Sequence, residues 1–451
     1  MQEKIKAGAS KVNITPPLGT LINGDFITHY ATDIHDNLFA KALVLQSGNI
    51  TVAICVVDIC AMRREFLDEV KQLVQRQTGI LPQNMLISST HTHASGSIES
   101  LLLGNADLPY REKLPALIVQ AIVQAWQNLV NAKIGFGSVD VPEYVLCRRY
   151  RMKDGYEAKN PVTDGLDQVK TNPFGAEGQI IAPVSKPDAQ LCYLAVKNEN
   201  DVWLGILGNY SMHYVGDWQS GTISSDYFGE FSDQLKEKLK AGDSFVGMLS
   251  NGTSGDANIW DFLNSNRFPK ENFEKSRLIG GNLAEKVFQS VQQINWQTEL
   301  LLLVQYEDVP IRTRKPDAAM LASAKKIVAN SNYEQLQGID YETMRKVYAR
   351  ELVLLNEFPD TIMFPVQAFK IGDVVIGGLG GEFFAETGLT LKDKNQHYFT
   401  ITLANGYVGY VCPEHEIERG GYETWLCRTS CLEVAAEEII QKQLSELIGK
   451  F

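Results

Sequence analysis

The stretch Thr51-Val52-Ala53-Ile54-Cys55-Val56-Val57-Asp58 is apolar from Val52 to Val57 and then meets a carboxylate. A run so short, apolar on consecutive positions and rich in β-branched residues, reads as a buried strand. Continued to Met62 it is still too short to cross a bilayer, and Asp58 interrupts it. Just upstream, residues 40–46 read as a second buried strand. Downstream, Arg64–Thr78 carries Phe66, Val70, Leu73 and Val74 at helical spacing, with Gly79 placed to end the helix. Residues 84–89 form another short apolar run, and 112–131 read as a helix with Leu114, Ile118, Ala121, Ile122 and Ala125 on its apolar face.

The same alternation continues to the C-terminus. A hairpin is predicted over 191–196 and 202–209, a helix over 227–239, a strand over 244–250, a helix over 271–293 and a strand over 300–309. A charged helical pair follows at 316–330 and 341–357, then a hairpin of Thr361–Ile371 and Val374–Leu379, a short helix at 383–391 and a closing helix at 432–448. Mixed strands and helices indicate the α/β class. With 451 residues, more than one minimal core of ~250–300 residues can use, the expectation is one large multilayer domain over 1–451, with mixed β-sheets flanked by helices. Residues 153–187, rich in Gly, Pro, Asn and Asp, are expected to form a long loop. Residues 316–357 read as a helical insertion, a lid, a dimer contact or, the preferred reading, a solvated charged face.

Composition excludes several classes. Hydrophobic residues make up 44% and charged residues 21%, so no long disordered tract is expected. The net charge of −12 and the absence of any Lys/Arg run argue against nucleic acid and anionic membrane surfaces as partners. No apolar leader follows the first six residues, and the seven cysteines are scattered, with only Cys427 and Cys431 close together. A reducing, cytoplasmic location is the expectation; a trimmed secreted chain would look the same. Oligomeric state has no signature here.

Five stretches carry candidate chemistry. In Ser88-Ser89-Thr90-His91-Thr92-His93, two histidines follow a strand at a spacing that points both imidazoles one way if the backbone stays extended. Such a pair can serve a metal, or a metal and a substrate; the alternative is two surface histidines on a turn. His213 ends the next apolar strand, where a lone His is more often structural. Ser250-Asn251-Gly252-Thr253-Ser254-Gly255-Asp256 is a small-residue loop that offers either an anion nest or a tight crossover turn. Gly377-Gly378-Leu379-Gly380-Gly381-Glu382 brings a carboxylate to glycines that permit close approach, or else Glu382 is a first-turn residue favoured by the helix dipole. Tyr410 and Tyr422, in Gly409-Tyr410-Val411 and Gly421-Tyr422-Glu423, read by themselves as packing residues.

In order along the chain these blocks resemble the neutral, non-lysosomal ceramidase family. The resemblance begins at Ala7-Gly8-Ala9-Ser10-Lys11-Val12-Asn13-Ile14-Thr15-Pro16-Pro17 and continues through Ile34-His35-Asp36-Asn37-Leu38-Phe39 and Ser225-Asp226-Tyr227. It implies a zinc-dependent hydrolase, with one Zn2+ per chain, that cleaves the amide bond of a ceramide-like N-acyl substrate in sphingolipid metabolism. It further implies His91, His213, Glu382 and Tyr410 as metal ligands and His93, Arg148 and Tyr422 as catalytic residues, with Arg149 the alternative to Arg148. Two imidazoles, a carboxylate and a phenol are the N/O donor set that suits Zn2+. His93 or Tyr422 would protonate the leaving amine. The chain departs from the family at Ala257-Asn258, where the family has a Val-Ser-Pro-Asn continuation, and at Tyr214, where the family has Pro. The family's C-terminal immunoglobulin-like domain is expected to be missing. Two other readings remain open: a metal-dependent esterase or phosphoesterase, with a second metal near Asp58, Asp226 or Asp256, and a non-catalytic binding homologue.

Overall fold

Along Phe39–Ser47, the side chains of Ala40, Ala42 and Val44 face one cluster of buried residues while Leu43 and Leu45 face another. Its partner Ile50–Val57 divides the same way, with Ala53, Cys55 and Val57 on one side and Val52, Ile54 and Val56 on the other. Strand geometry sends successive side chains to opposite faces, so continuous apolarity means that both faces are covered. The computed structural model describes residues 3–451 except 23, 25, 27 and 337. The first two residues of the N-terminal reading, and position 337 within the 316–357 segment, therefore lie outside the described residues.

The large sheet runs Val246–Asn251, Trp203–Tyr210, Gln190–Asn198, Val130–Asp140, Glu3–Asn13, Phe39–Ser47, Ile50–Val57 and Met85–Ser89, with Glu299–Leu300 also pairing on Glu3–Asn13. Its two end pairs are parallel and the rest antiparallel. A second mixed sheet runs Leu302–Arg312, Thr361–Ile371, Val374–Leu379 and Tyr398–Ile401. Helices Arg64–Thr78 and Leu108–Gln127 cover part of the large sheet through Phe66, Val70, Leu114 and Ile118. Helices Asp226–Lys238 and Glu274–Ser290 cover another part through Phe228, Phe231, Ile279 and Leu283. Between the sheets, Leu43, Ile54, Leu194, Leu207 and Met248 meet Phe369, Ile376, Phe399 and Ile401. The outer face of the second sheet, Phe364, Val366 and Ala368, is closed by Ile440, Leu444 and Leu447 of helix Ala436–Ile448. The order is helix, sheet, sheet, helix, a multilayer mixed α/β architecture as expected.

Several local expectations need correction. The helix placed at 112–131 starts at Leu108, capped by the Asp107 carboxylate on the Tyr110 amide, and stops at Gln127. The chain then enters the strand Val130–Asp140, where Ala132 and Ile134 supply the inward alternation. Glu3–Asn13 is a central strand although it is made of Lys, Ala, Gly and Ser; packing on both sides overrides its weak strand propensity. Gly8 marks the closest approach: a Cβ there would stand 2.1 Å from the Ala125 carbonyl oxygen of the covering helix. The helix placed at 383–391 begins only at Ala385, because Glu382–Phe383 forms a short strand on Tyr410–Val411. The segment 153–187 is mostly irregular but gives Lys170–Thr171 and Ile180–Pro183 as strands to Arg149–Met152. In the charged helical pair, Tyr341–Asn356 is not a solvated surface: it buries Met344, Val347, Tyr348, Leu352 and Leu355. Among the described residues, no helix is long and apolar enough to cross a membrane.

Candidate metal centre

Strand ends from both sheets deliver the site. Met85–Ser89 leads to His91, Trp203–Tyr210 leads to His213, Val374–Leu379 leads to Glu382, and Tyr410 opens the strand beside it. Ligand sites in open α/β sheets gather at carboxyl ends of strands for the same reason: the chain leaves the ladder there and frees its side chains. The two sheets are stitched together at this point. The Ser89 amide donates to the Leu403 carbonyl, Leu403 to Gly381, Thr402 to Asn251 and Glu382 to Gly409. Gly409 is required: its φ is +81°, and a Cβ would lie 2.1 Å from the Thr429 carbonyl oxygen.

His91 does not have the extended backbone on which the sequence argument relied. Its φ is +68°, a left-handed conformation that costs a β-carbon-bearing residue of order 1–3 kcal/mol and gathers at functional sites. The surroundings enforce it, with the His91 amide on the Ile59 carbonyl (3.0 Å) and the Thr92 hydroxyl on the Ser224 carbonyl (2.7 Å). The two imidazoles converge all the same, with Nε2 of His93 3.2 Å from Nε2 of His91.

A carbonyl oxygen only accepts, so Nδ1 of His91, 2.7 Å from the Cys60 carbonyl, carries the proton. Nδ1 of His213 faces the Ser254 carbonyl at 3.3 Å in the same sense. Both Nε2 lone pairs therefore point inward, toward Oε2 of Glu382 at 3.5 and 3.6 Å. Burial holds both imidazoles neutral, pushing His91 down to about 4 and His213 well below its usual range. Oε1 of Glu382 accepts from the Tyr407 hydroxyl (2.7 Å); Oε2 is buried and has no hydrogen-bond partner. The ligand atoms of His91, His213 and Glu382 lie within 4.8 Å of one another. Three lone-pair-bearing atoms around one buried point repel unless a cation stands among them, so the residues fit a divalent metal of the N/O-ligated kind.

The remaining expected residues lie around this cluster. Glu382 and Tyr410 pair directly across their short strands. Arg148 donates from Nη2 to the Tyr410 hydroxyl (2.9 Å) and to the Gly255 carbonyl (2.7 Å), and from Nε to Glu423 (2.8 Å). Arg149 points the other way, into Glu423 (2.6 Å) and Glu416 (2.8 Å), and is fully buried; of the two candidates, Arg148 is the one that borders the cavity. Tyr422 packs edge-on against Tyr410, centroids 5.5 Å apart. Loop 250–258 turns the Ser254 and Gly255 carbonyls toward His213 and Arg148. Asp58 is taken by Lys41, Asp226 by the Val215 and Gly216 amides, and Asp256 by Ser185 and the Ala385 amide. None of the three belongs to a potential metal-holding group among the described residues.

A cavity of about 400 Å3 opens from His93, Arg148, His213, Tyr410 and Tyr422. Its outer wall includes Phe26, Phe174, Trp260, Met344 and Trp425. The segment at 170–174 and the helix Tyr341–Asn356 thus both shape it. Sequence reasoning missed Tyr407, which orients Glu382, Glu423, which holds both arginines, and Tyr214, which stacks on His93 at 3.7 Å. A signal existed for Glu423: adjacent buried arginines demand carboxylates. None existed for the other two.

No protein-family model matches the sequence, and no curated protein matches it. Solved structures do. A crystal structure of neutral ceramidase from Pseudomonas aeruginosa aligns over 99% of this chain and 74% of that one, with a TM-score of 0.73 at 16% identity. This chain has the neutral ceramidase fold. A ceramidase complexed with C2 aligns over 99% and 75%, with a TM-score of 0.72 and again 16% identity. The ceramidase fold explains why motifs spread over more than 300 residues meet at one point: it interleaves the strand ends of two sheets.

Proposed function

We propose that this chain is a metal-dependent hydrolase that cleaves the amide bond of an N-acyl, ceramide-like substrate, with one zinc ion held by His91, His213, Glu382 and Tyr410. The observation that carries the reading is the buried, unpartnered Oε2 of Glu382 facing two inward imidazole lone pairs. When bound, such an ion supplies Lewis acidity, polarising a carbonyl and making water a competent nucleophile near neutral pH. The chain's own groups do the rest. Arg148 and Tyr422 border the cavity and donate toward the carbonyl oxygen as charge develops on it. Glu423 and the Gly255 carbonyl hold Arg148 in place before substrate arrives. His93, braced by Tyr214, or Tyr422 delivers the proton to the departing amine. The aromatic outer wall takes the acyl chain and excludes water. The likeness to solved ceramidases supports the substrate class.

Elemental analysis of the purified protein, with His91→Ala and Glu382→Ala alongside, tests the ligand set. About one zinc per chain, lost in both variants, is the expected result, and metal-loaded protein then hydrolyses N-acyl amides, ceramide being assayed first. Equal metal content in wild type and variants would overturn the assignment.

A further inference from the structure

Two cations, Arg148 and Lys170, line the cavity, and among the described residues no Asp or Glu does. The charge of Arg148 is already answered by Glu423 at 2.8 Å. That of Lys170 is not: among the described residues it forms no ion pair and no side-chain hydrogen bond. The carboxylate that acts on it most, Asp167, is itself engaged by Asn160 Nδ2 (3.0 Å) and Trp425 Nε1 (2.7 Å).

Lys170 owes its place to a two-residue strand. Lys170–Thr171 pairs with Arg149–Met152, and Thr171 turns inward to Glu423 at 2.7 Å. Lys170 and Thr171 both line the cavity, with Asn172 and Phe174 following them on its wall. Half-burial there lowers its affinity for its proton. An ammonium partly removed from water without a counter-charge is costly to the free protein. A ligand carboxylate would return that cost as a charge-assisted hydrogen bond.

We infer that Lys170 pairs with a substrate carboxylate and so gives this site a preference among N-acyl compounds, binding N-acyl amino acids ahead of neutral amides. The inference rests on the amide-hydrolase reading for its substrate class, but the carboxylate preference can be measured without turnover. Trp260 and Trp425 line the cavity, so their fluorescence reports binding directly. The probes are N-dodecanoylglycine and N-dodecanoylethanolamine, matched in length and differing in the carboxylate. Wild type is expected to bind the glycine conjugate about ten-fold more tightly, and K170Q to bring the two within about two-fold of each other. K153Q, which removes a charge from the same segment outside the cavity, keeps the preference, and K170R restores it. Equal binding of the two probes by wild type, or a preference that survives in K170Q, would overturn the inference. Preferential binding of the glycine conjugate with neither probe hydrolysed by metal-loaded protein would instead remove the hydrolase reading and leave the anion site standing. Hydrolysis of the ethanolamide without any binding preference would do the reverse.

Discussion

Tyr407 contributes a single hydroxyl to the site, donated to Oε1 of Glu382 at 2.7 Å. Partners that orient a metal-ligating carboxylate set its basicity and direction, and losing one weakens metal binding by roughly 10–100-fold. If the proposed metal is bound, Tyr407→Phe is therefore expected to release it to a competing chelator at a concentration lower by that factor, with the fold retained by circular dichroism; unchanged metal affinity would deny Tyr407 its role. Glu423 is the corresponding residue for the arginines. It is fully buried, and Arg148 and Arg149 hold its carboxyl below the usual carboxylate range against the opposing effect of burial. Glu423→Ala leaves two buried guanidinium groups short of a counter-charge, and breaking such pairs costs about 3–5 kcal/mol. Urea unfolding reads that loss, and a change under about 1 kcal/mol would show that water replaces the carboxylate.

At the scale of elements, helix Arg64–Thr78 turns Lys71 inward beside Val70 and Val74, and burial pushes its ammonium down to about 7. The unfolded chain holds that proton up to about 10.4. Relative to a neutral side chain, the penalty is complete below about pH 7, shrinks as pH rises and vanishes above about 10.4. Lys71→Met should accordingly stabilise the protein at pH 7, by about 4 kcal/mol or less, and by progressively less toward pH 10. Melting curves across that range check the sign, and a gain that grows with pH would refute it. The turn at Gly409 is the element on which the second sheet's contribution depends. With φ at +81° and the Thr429 carbonyl oxygen 2.1 Å from any added Cβ, Gly409→Ala must displace backbone. It is expected to lower stability by at least ~2 kcal/mol and to displace Tyr410 next to it; wild-type thermal stability would show that the turn can relax.

In the whole molecule, the proposed metal joins two layers. His91 and His213 follow strands of the large sheet, while Glu382 follows a strand of the second and Tyr410 pairs directly beside it. An ion bound only by the folded state adds stability that grows with the logarithm of its concentration over its dissociation constant. Chelation should lower the melting temperature of wild type and leave that of His91→Ala unmoved; equal responses would place the metal elsewhere. Much of this architecture was legible in the chain. Consecutive apolar residues in Ile50–Val57 announced a strand covered on both faces, and helix Arg64–Thr78 was readable from its period, because local periodicity follows directly from which side each residue must bury. The donor types were legible too, since His91, Glu382 and Tyr410 stand in motifs whose order resembles a family. What the sequence could not express were relations between distant segments. Glu3–Asn13 is a strand only because it has neighbours on both sides, and the left-handed turn at His91 exists only because Ile59 and Ser224 hold it. The unpartnered oxygen of Glu382 and the unpaired charge of Lys170 are likewise properties of what surrounds them. Local chemistry determined which groups this protein could use, and tertiary packing alone decided which of them face one another, because desolvation and pairing depend on contacts between residues hundreds of positions apart.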